Sequence, residues 1–210
     1  MDNLDVKTAI ETGDAGALKI LLSKDAALAN RLILWGKNCK NSTHPLHYVS
    51  DMLFERKLAG GLEIAVIEAL LEAGADANHR ASSGETPLIG AASLAAEAVG
   101  LRLLEAGAQP NLTGGFQETA LHWAANLGLR TLVARLIEKG ADVNLKDGRY
   151  HSSPLGWAIH GWTNSSPGCQ GNHHEVVALL VANGATVEPQ WLADEQVQSD
   201  VKMREALMGK

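Results

Sequence analysis

The segment that most restricts this chain is a five-residue phrase that keeps returning. "GADAN" occupies Gly74–Asn78, "GAQPN" Gly107–Asn111, "GADVN" Gly140–Asn144 and "GATVE" Gly184–Glu188, the first three starting 33 residues apart. A fixed period of this length means one supersecondary unit repeated, not one large core. Ahead of each phrase lies an apolar-periodic run: "VIEALLEAGAD", "GLRLLEAGAQ", "LVARLIEKGAD" and "VVALLVANGAT". The spacing predicts helices that end where a glycine takes up the left-handed conformation of a C-cap.

Further upstream sit four helix openings: "HPLH" at His44–His47, "TPLI" at Thr86–Ile89, "TALH" at Thr119–His122 and "SPLG" at Ser153–Gly156. A hydroxyl before proline suits a helix start, because the hydroxyl accepts from the first free N–H groups and proline has none to leave unpaired. Each unit then reads as helix, turn, helix and connecting loop. A single unit of this kind cannot bury its apolar face, so neighbours must stack. The composition agrees: 46% hydrophobic but 4% aromatic, with small residues in runs such as "AASLAAEAVGLRLLEAGA".

These openings and this period resemble the ankyrin repeat. The resemblance implies an all-α ankyrin-repeat solenoid of helix-turn-helix units with short turn or β-hairpin fingers. One domain, 1–210, is expected: an N-terminal cap over 1–34, repeats over 43–78, 84–111, 117–144 and 151–188, and a C-terminal cap over 189–210. The cap sequence "LDVKTAIETGDAGALKILLSKD" reads as two short helices around Gly13-Asp14, and a polar helix is expected from about Ser199 to Met208. The runs around "GETPLIGAASLAAEAVGLRLLEAG" and "SSPLGWAIHGW" further resemble a bacterial group of small stand-alone ankyrin proteins.

Departures from the period single out parts of the chain. Repeats one and four carry about ten extra residues between their helices, within "DMLFERKLAGGLE" and "GWTNSSPGCQGNHHE", and "LILWGKNCKNST" is inserted after the cap. Insertions in repeat arrays map to loops on one face, often the working face, although loop length also drifts at little cost.

On the ankyrin template, Tyr48, Trp123 and Trp157 occupy a buried position. His47 and His122 fall on the histidine that ties neighbouring turns, which Gly156 replaces. The positions facing the concave groove read Asp51, Ser93, Asn126 and His160, beside Met52, Leu94, Leu127 and Gly161. The fingers add Glu85, Phe116, Glu118, Arg149 and Tyr150, and Trp162 joins His160 as a site candidate. The resemblance implies a non-enzymatic module that binds a protein or peptide partner through these residues, the alternative being a groove that is polar because it is wet. Glu85 and Glu118 suggest a partner rich in Lys or Arg.

The competing expectation is a small-molecule or catalytic pocket under the two long insertions, lined by Trp123, Tyr150, Trp157, His160 and Trp162, with His160 as acid–base group. A hydrolytic triad of Asp51, Ser93 and His160 is disfavoured, since equivalent positions of adjacent repeats lie roughly 10 Å apart. No catalytic residue, metal or cofactor is assigned. His151, His160, Cys169, His173 and His174, and likewise Cys39, His44 and His47, lack paired-ligand zinc spacing. A net charge of −6 without a basic run argues against nucleic acid. No apolar stretch reaches membrane length, and "MDNLDVKTAI" lacks the features of a secretory signal, so no membrane partner, a cytoplasmic location and reduced Cys39 and Cys169 are expected.

Overall fold

The computed structural model describes residues 5–35, 41–165 and 172–209. Cys39 and Cys169 lie outside them. The chain packs as two compact units, Met1–Gln109 and Pro110–Lys210.

In the first unit α1 (Val6–Thr12) and α2 (Ala15–Lys24) are separated by Gly13, in the left-handed conformation, and Asp14, whose carboxylate accepts from Ala17 N–H. A 3-10 turn (Ala26–Ala29) leads to an antiparallel hairpin of β1 (Ile33–Trp35) and β2 (Asn41–Thr43), with Ile33 opposite Thr43. Part of the insertion after the cap is therefore a hairpin. Then come α3 (Pro45–Phe54), α4 (Glu63–Glu72), α5 (Pro87–Ser93) and α6 (Glu97–Glu105). Helices α1, α3 and α5 pack as one row, and α2, α4 and α6 as a second row behind it. Leu18, Ile67, Leu70 and Leu103 are fully buried within the second row, each contributing about 1.5–3 kcal/mol relative to exposure. In the first row α5 contributes two small residues with no exposed surface, Ala91 and Ala92.

The second unit repeats the plan with α7 (Ala120–Asn126), α8 (Arg130–Glu138), α9 (Pro154–Asn164) and α10 (His173–Ala182). The tail forms α11 (Pro189–Ala193), α12 (Glu195–Ser199) and α13 (Val201–Leu207). Helix α13 packs on α10 through Met203, Ala206 and Leu207. The expected polar helix thus has one apolar face, which it turns to α10.

The recurring phrase does two jobs. Gly74, Gly107, Gly140 and Gly184 all have φ between 86° and 91°, a conformation that costs other residues free energy. An asparagine that closes one repeat reaches into the following repeat. Asn111 donates to Gly140 O and accepts from Asp142 N–H, both at 2.8 Å; Asn144 does the same with Gly184 O and Thr186 N–H. Asn30, directly after the 3-10 turn, makes the same pair of bonds with Gly74 O and Asp76 N–H. The period is kept by hydrogen bonds as well as by packing.

The long insertions prove to be partly ordered scaffold. In repeat one Leu58 is buried, and a Cβ on Gly13 would lie 2.6 Å from Leu62 Cδ1 and 3.1 Å from Leu58 Cδ1. The insertion folds back on the turn between α1 and α2. In repeat four α9 simply runs further, to Asn164. Gly161 does not supply a groove surface: a Cβ there would lie 2.8 Å from the Asn126 carbonyl carbon, so only glycine lets α9 approach the end of α7. His173 Nε2 also meets Asn126 O, at 2.9 Å.

Candidate functional site: an aromatic cavity between two fingers

Two connected strings, "TGGFQETALHW" (Thr113–Trp123) and "DGRYHSSPLGW" (Asp147–Trp157), build equivalent pieces of the second unit. Each begins as a finger, passes a residue with left-handed backbone (Gln117 at φ 61°, His151 at φ 51°), and enters a helix whose first turn carries a tryptophan. The fingers touch: Gly148 N–H donates to Phe116 O at 2.6 Å, and a Cβ on Gly148 would meet that oxygen at 3.2 Å.

Between the fingers and helices α7 and α9 lies a cavity of about 620 Å³. Its walls are Phe116, Trp123, Tyr150 and Trp157, with Glu118, Asn126, Asp147, Arg149, Ser152, Gly156 and His160 completing the lining. The rings meet edge to face: Trp123 and Trp157 at 5.0 Å between centroids, Tyr150 and Trp157 at 6.3 Å. That geometry suits aromatic quadrupoles and sets the rings at steep angles instead of in a filled stack. Phe116 is 58% exposed and Tyr150 63%. The Arg149 guanidinium carbon lies 5.2 Å from both of their ring centroids.

Asp147 organises the second finger. Its Oδ1 accepts from the backbone N–H of Arg149 (2.8 Å) and Tyr150 (2.6 Å). Its Oδ2 accepts from Ser152 N–H (3.0 Å) and from the Trp157 indole (3.1 Å). Burial acts to raise the carboxyl pKa, but the hydrogen bonds from Tyr150, Trp157, Ser152 and Arg149 together outweigh it and hold the group below its ordinary range. Asp147 is therefore a carboxylate at neutral pH, although only 1% exposed. Glu118 is the other acid of the cavity. It is 5% exposed, and its Oε2 accepts from Phe116 N–H at 2.9 Å. Expected on a finger as a contact for a basic partner, Glu118 is buried, its carboxylate turned inward to the loop that holds Phe116. Trp123 differs from Trp157: its Nε1 is shielded from solvent and has no hydrogen-bond partner among the described residues.

His122 links the two pieces. Its Nδ1 accepts from Thr119 N–H at 3.1 Å, which leaves the proton on Nε2 for Ser152 O at 3.2 Å. Burial depresses its pKa, an effect only partly offset by that carbonyl and the Asp147 charge. Gly156, at the corresponding place, leaves no room: a Cβ would collide with Ser152 Oγ and lie 3.2 Å from Trp191.

Of the residues singled out from sequence, Phe116, Glu118, Asn126, Tyr150 and His160 come together in this cavity. Trp162 does not. It is 7% exposed and packs beside His174, because the extended α9 turns it towards α10. The roles expected for the tryptophans are thus exchanged: Trp162 belongs to the core, while half-buried Trp123 and Trp157 line the cavity. The described insertion residues are absent from the lining, which the fingers and the two helices supply instead. Asp147 was missed, although its place six residues before Ser153 was visible in the sequence.

Asp51, Glu85 and Ser93 belong to the first unit. Burial, followed by the charges of Glu55 and Glu85, raises the Asp51 pKa to about 6. Ser93 Oγ donates to Gly90 O at 3.0 Å, and Glu85 accepts from Ser83 Oγ at 3.1 Å. His44 stacks on His79 at 4.3 Å, with His47 at a steep angle to both. Among the described residues no group of three or more His, Cys, Asp or Glu is placed to hold a metal ion. No described helix is long and apolar enough to cross a membrane.

Stacked two-row units, a first helix opened by a capped Thr/Ser–Pro or Thr–Ala turn and a glycine-ended second helix define a helical repeat protein. The family described as "Ankyrin repeats (3 copies)" matches residues 58–147 and 101–191. The chain belongs to the ankyrin-repeat family, whose repeats are in general protein–protein interaction modules. No curated protein matches the chain.

Proposed function

We propose that the protein is a non-enzymatic interaction module that takes segments of a partner protein on the surface formed, within each unit, by first-row helices and fingers. The observation that carries this reading is the cavity of the second unit: four aromatic side chains, two of them more than half exposed, surround a space of about 620 Å³ with polar groups at its edge. Exposed aromatics over a concave, partly polar surface are what interface anchors require. Asn126, His160, Phe116 and Tyr150 are the contact residues there, and Asp51, Glu85 and Ser93 are those of the first unit.

A catalytic role has less support. Asp147 is saturated by four donors, and His160 shares its Nδ1 with Asn164 Nδ2 at 3.1 Å. Neither the Asp147 carboxylate nor the His160 ring is hydrogen-bonded to a hydroxyl or thiol among the described residues.

The test is affinity capture with the whole chain, comparing wild type with Asn126→Arg and Tyr150→Ala. A partner held by wild type and lost by both variants, at unchanged melting temperature, supports the reading. Equal capture by all three overturns it.

A further inference from the structure

We propose that the cavity of the second unit is a receptor for an arginine side chain presented by the partner. The inference rests on the interaction reading above and specifies what the partner must carry.

Three observations converge. The cavity has three charged groups in its lining, and two are buried carboxylates, Asp147 and Glu118. Four hydrogen bonds keep Asp147 ionised, so its charge is permanent at neutral pH. Glu118 takes one donor among the described residues, whereas a carboxylate accommodates about four. Against these stands Arg149 alone, so the site carries an excess of negative charge within a wall of low polarity, where charge acts more strongly than in water.

Next, the walls are aromatic faces. A cation within about 6 Å of such a face is attracted by the ring quadrupole, most strongly at tryptophan and when desolvated. Trp123 and Trp157 supply the deeper rings, Phe116 and Tyr150 the outer ones.

The molecule itself then indicates which cation these rings accept. Arg149 lies against the two outer rings at 5.2 Å each. A guanidinium is planar and weakly hydrated, so it stacks on rings at lower desolvation cost than an ammonium, and its stem covers apolar surface. The inner tryptophans offer the same kind of surface next to two carboxylates and, among the described residues, without a guanidinium upon them. An arginine in an extended partner segment fits this combination. A purely apolar anchor would leave the excess charge unanswered.

The experiment uses the whole chain and two peptides, acetyl-Gly-Arg-Gly-amide and its norleucine counterpart, titrated while the indole N–H signals are followed by NMR. The arginine peptide is expected to shift the Trp123 and Trp157 signals saturably, with the norleucine peptide at least tenfold weaker. Glu118→Gln should weaken arginine binding about fivefold. Because that variant also disturbs a finger, Tyr150→Leu, at an exposed ring, provides a second loss of several-fold with the fold intact. Arg149→Gln removes the competing positive charge and should tighten arginine binding by twofold or more. Equal binding of the two peptides, no binding of either, or weakened arginine binding in Arg149→Gln overturns the proposal. The two readings separate in competition: a captured partner that Asn126→Arg loses but saturating arginine peptide does not displace leaves the interaction module standing and removes the arginine receptor.

Discussion

Replacing Asp147 by Asn tests the finger and the cavity together. The wild-type carboxylate accepts three backbone N–H groups and one indole N–H. An amide keeps one oxygen, enough for Arg149 and Tyr150, and turns a donor towards Ser152 N–H and the Trp157 indole. Two buried donors lose their acceptor, each at about 1–3 kcal/mol, and the two bonds that remain lose their charge assistance. Local relaxation recovers part of this, so the expected loss is about 2–4 kcal/mol. For a chain of this size that corresponds to a fall in melting temperature of roughly 5–12 °C. Circular dichroism melts and urea titrations measure the loss, while the NMR position of the Trp157 indole N–H reports the broken bond directly. The effect has a pH signature. Asp147 has its pKa lowered in the folded state, so its contribution is complete above the ordinary carboxylate range and disappears as pH falls through the native value. The difference between wild type and Asp147→Asn should therefore be constant from pH 6 to 8 and shrink in acid. A variant within 0.5 kcal/mol of wild type at pH 7, a bound set by the usual size of a surface substitution, would refute the assignment of Asp147 as the finger's organiser.

Four other outcomes follow from the same physics. Gly161→Ala should cost about 2–3 kcal/mol, because the new methyl meets the backbone of Asn126, which cannot swing aside; thermal melts measure it. Asn144→Ala removes the bonds to Gly184 and Thr186 and should lower stability by about 1–3 kcal/mol in urea titrations. Asp51 has a folded pKa of about 6 against an ordinary 3.8, so the folded state binds the extra proton and stability falls as pH rises across that window; Asp51→Asn should raise stability at pH 7.5 and flatten the profile between pH 4 and 6. Burial lowers the pKa values of His44 and His47 to about 4 from 6.5, so their contribution has the opposite sign. It is complete above 6.5 and is lost as pH falls towards 4, and His47→Gln should lessen the acid sensitivity seen in melts over that range.

The architecture was legible because repetition writes the same local physics several times. Glycine after an apolar run, hydroxyl or histidine before proline, and asparagine closing each unit all act within a few residues or one period. Their consequences, namely capped starts at His44, Thr86 and Ser153 and left-handed ends at Gly74 to Gly184, follow without knowledge of the rest of the fold. The family resemblance also grouped Phe116, Asn126, Tyr150 and His160 as candidate contact residues, and these four line one cavity. That assignment depends only on position within the repeat.

What needed the tertiary structure was which tryptophan faces the core. Trp157 and Trp162 lie five residues apart on one helix, and sequence offers both as apolar surface. Their fates depend on how far α9 extends and on Gly161, which brings α9 against Asn126 and turns Trp162 towards α10. Glu118 illustrates the same point: an acidic residue on a finger reads as exposed until the loop's own Phe116 N–H claims its carboxylate. Local propensity and period are properties of short segments, so the sequence determined the repeat. The direction of a side chain at a junction is decided by contacts between segments about 30 or more residues apart, such as His173 on Asn126 and Gly148 on Phe116, which no short segment encodes by itself.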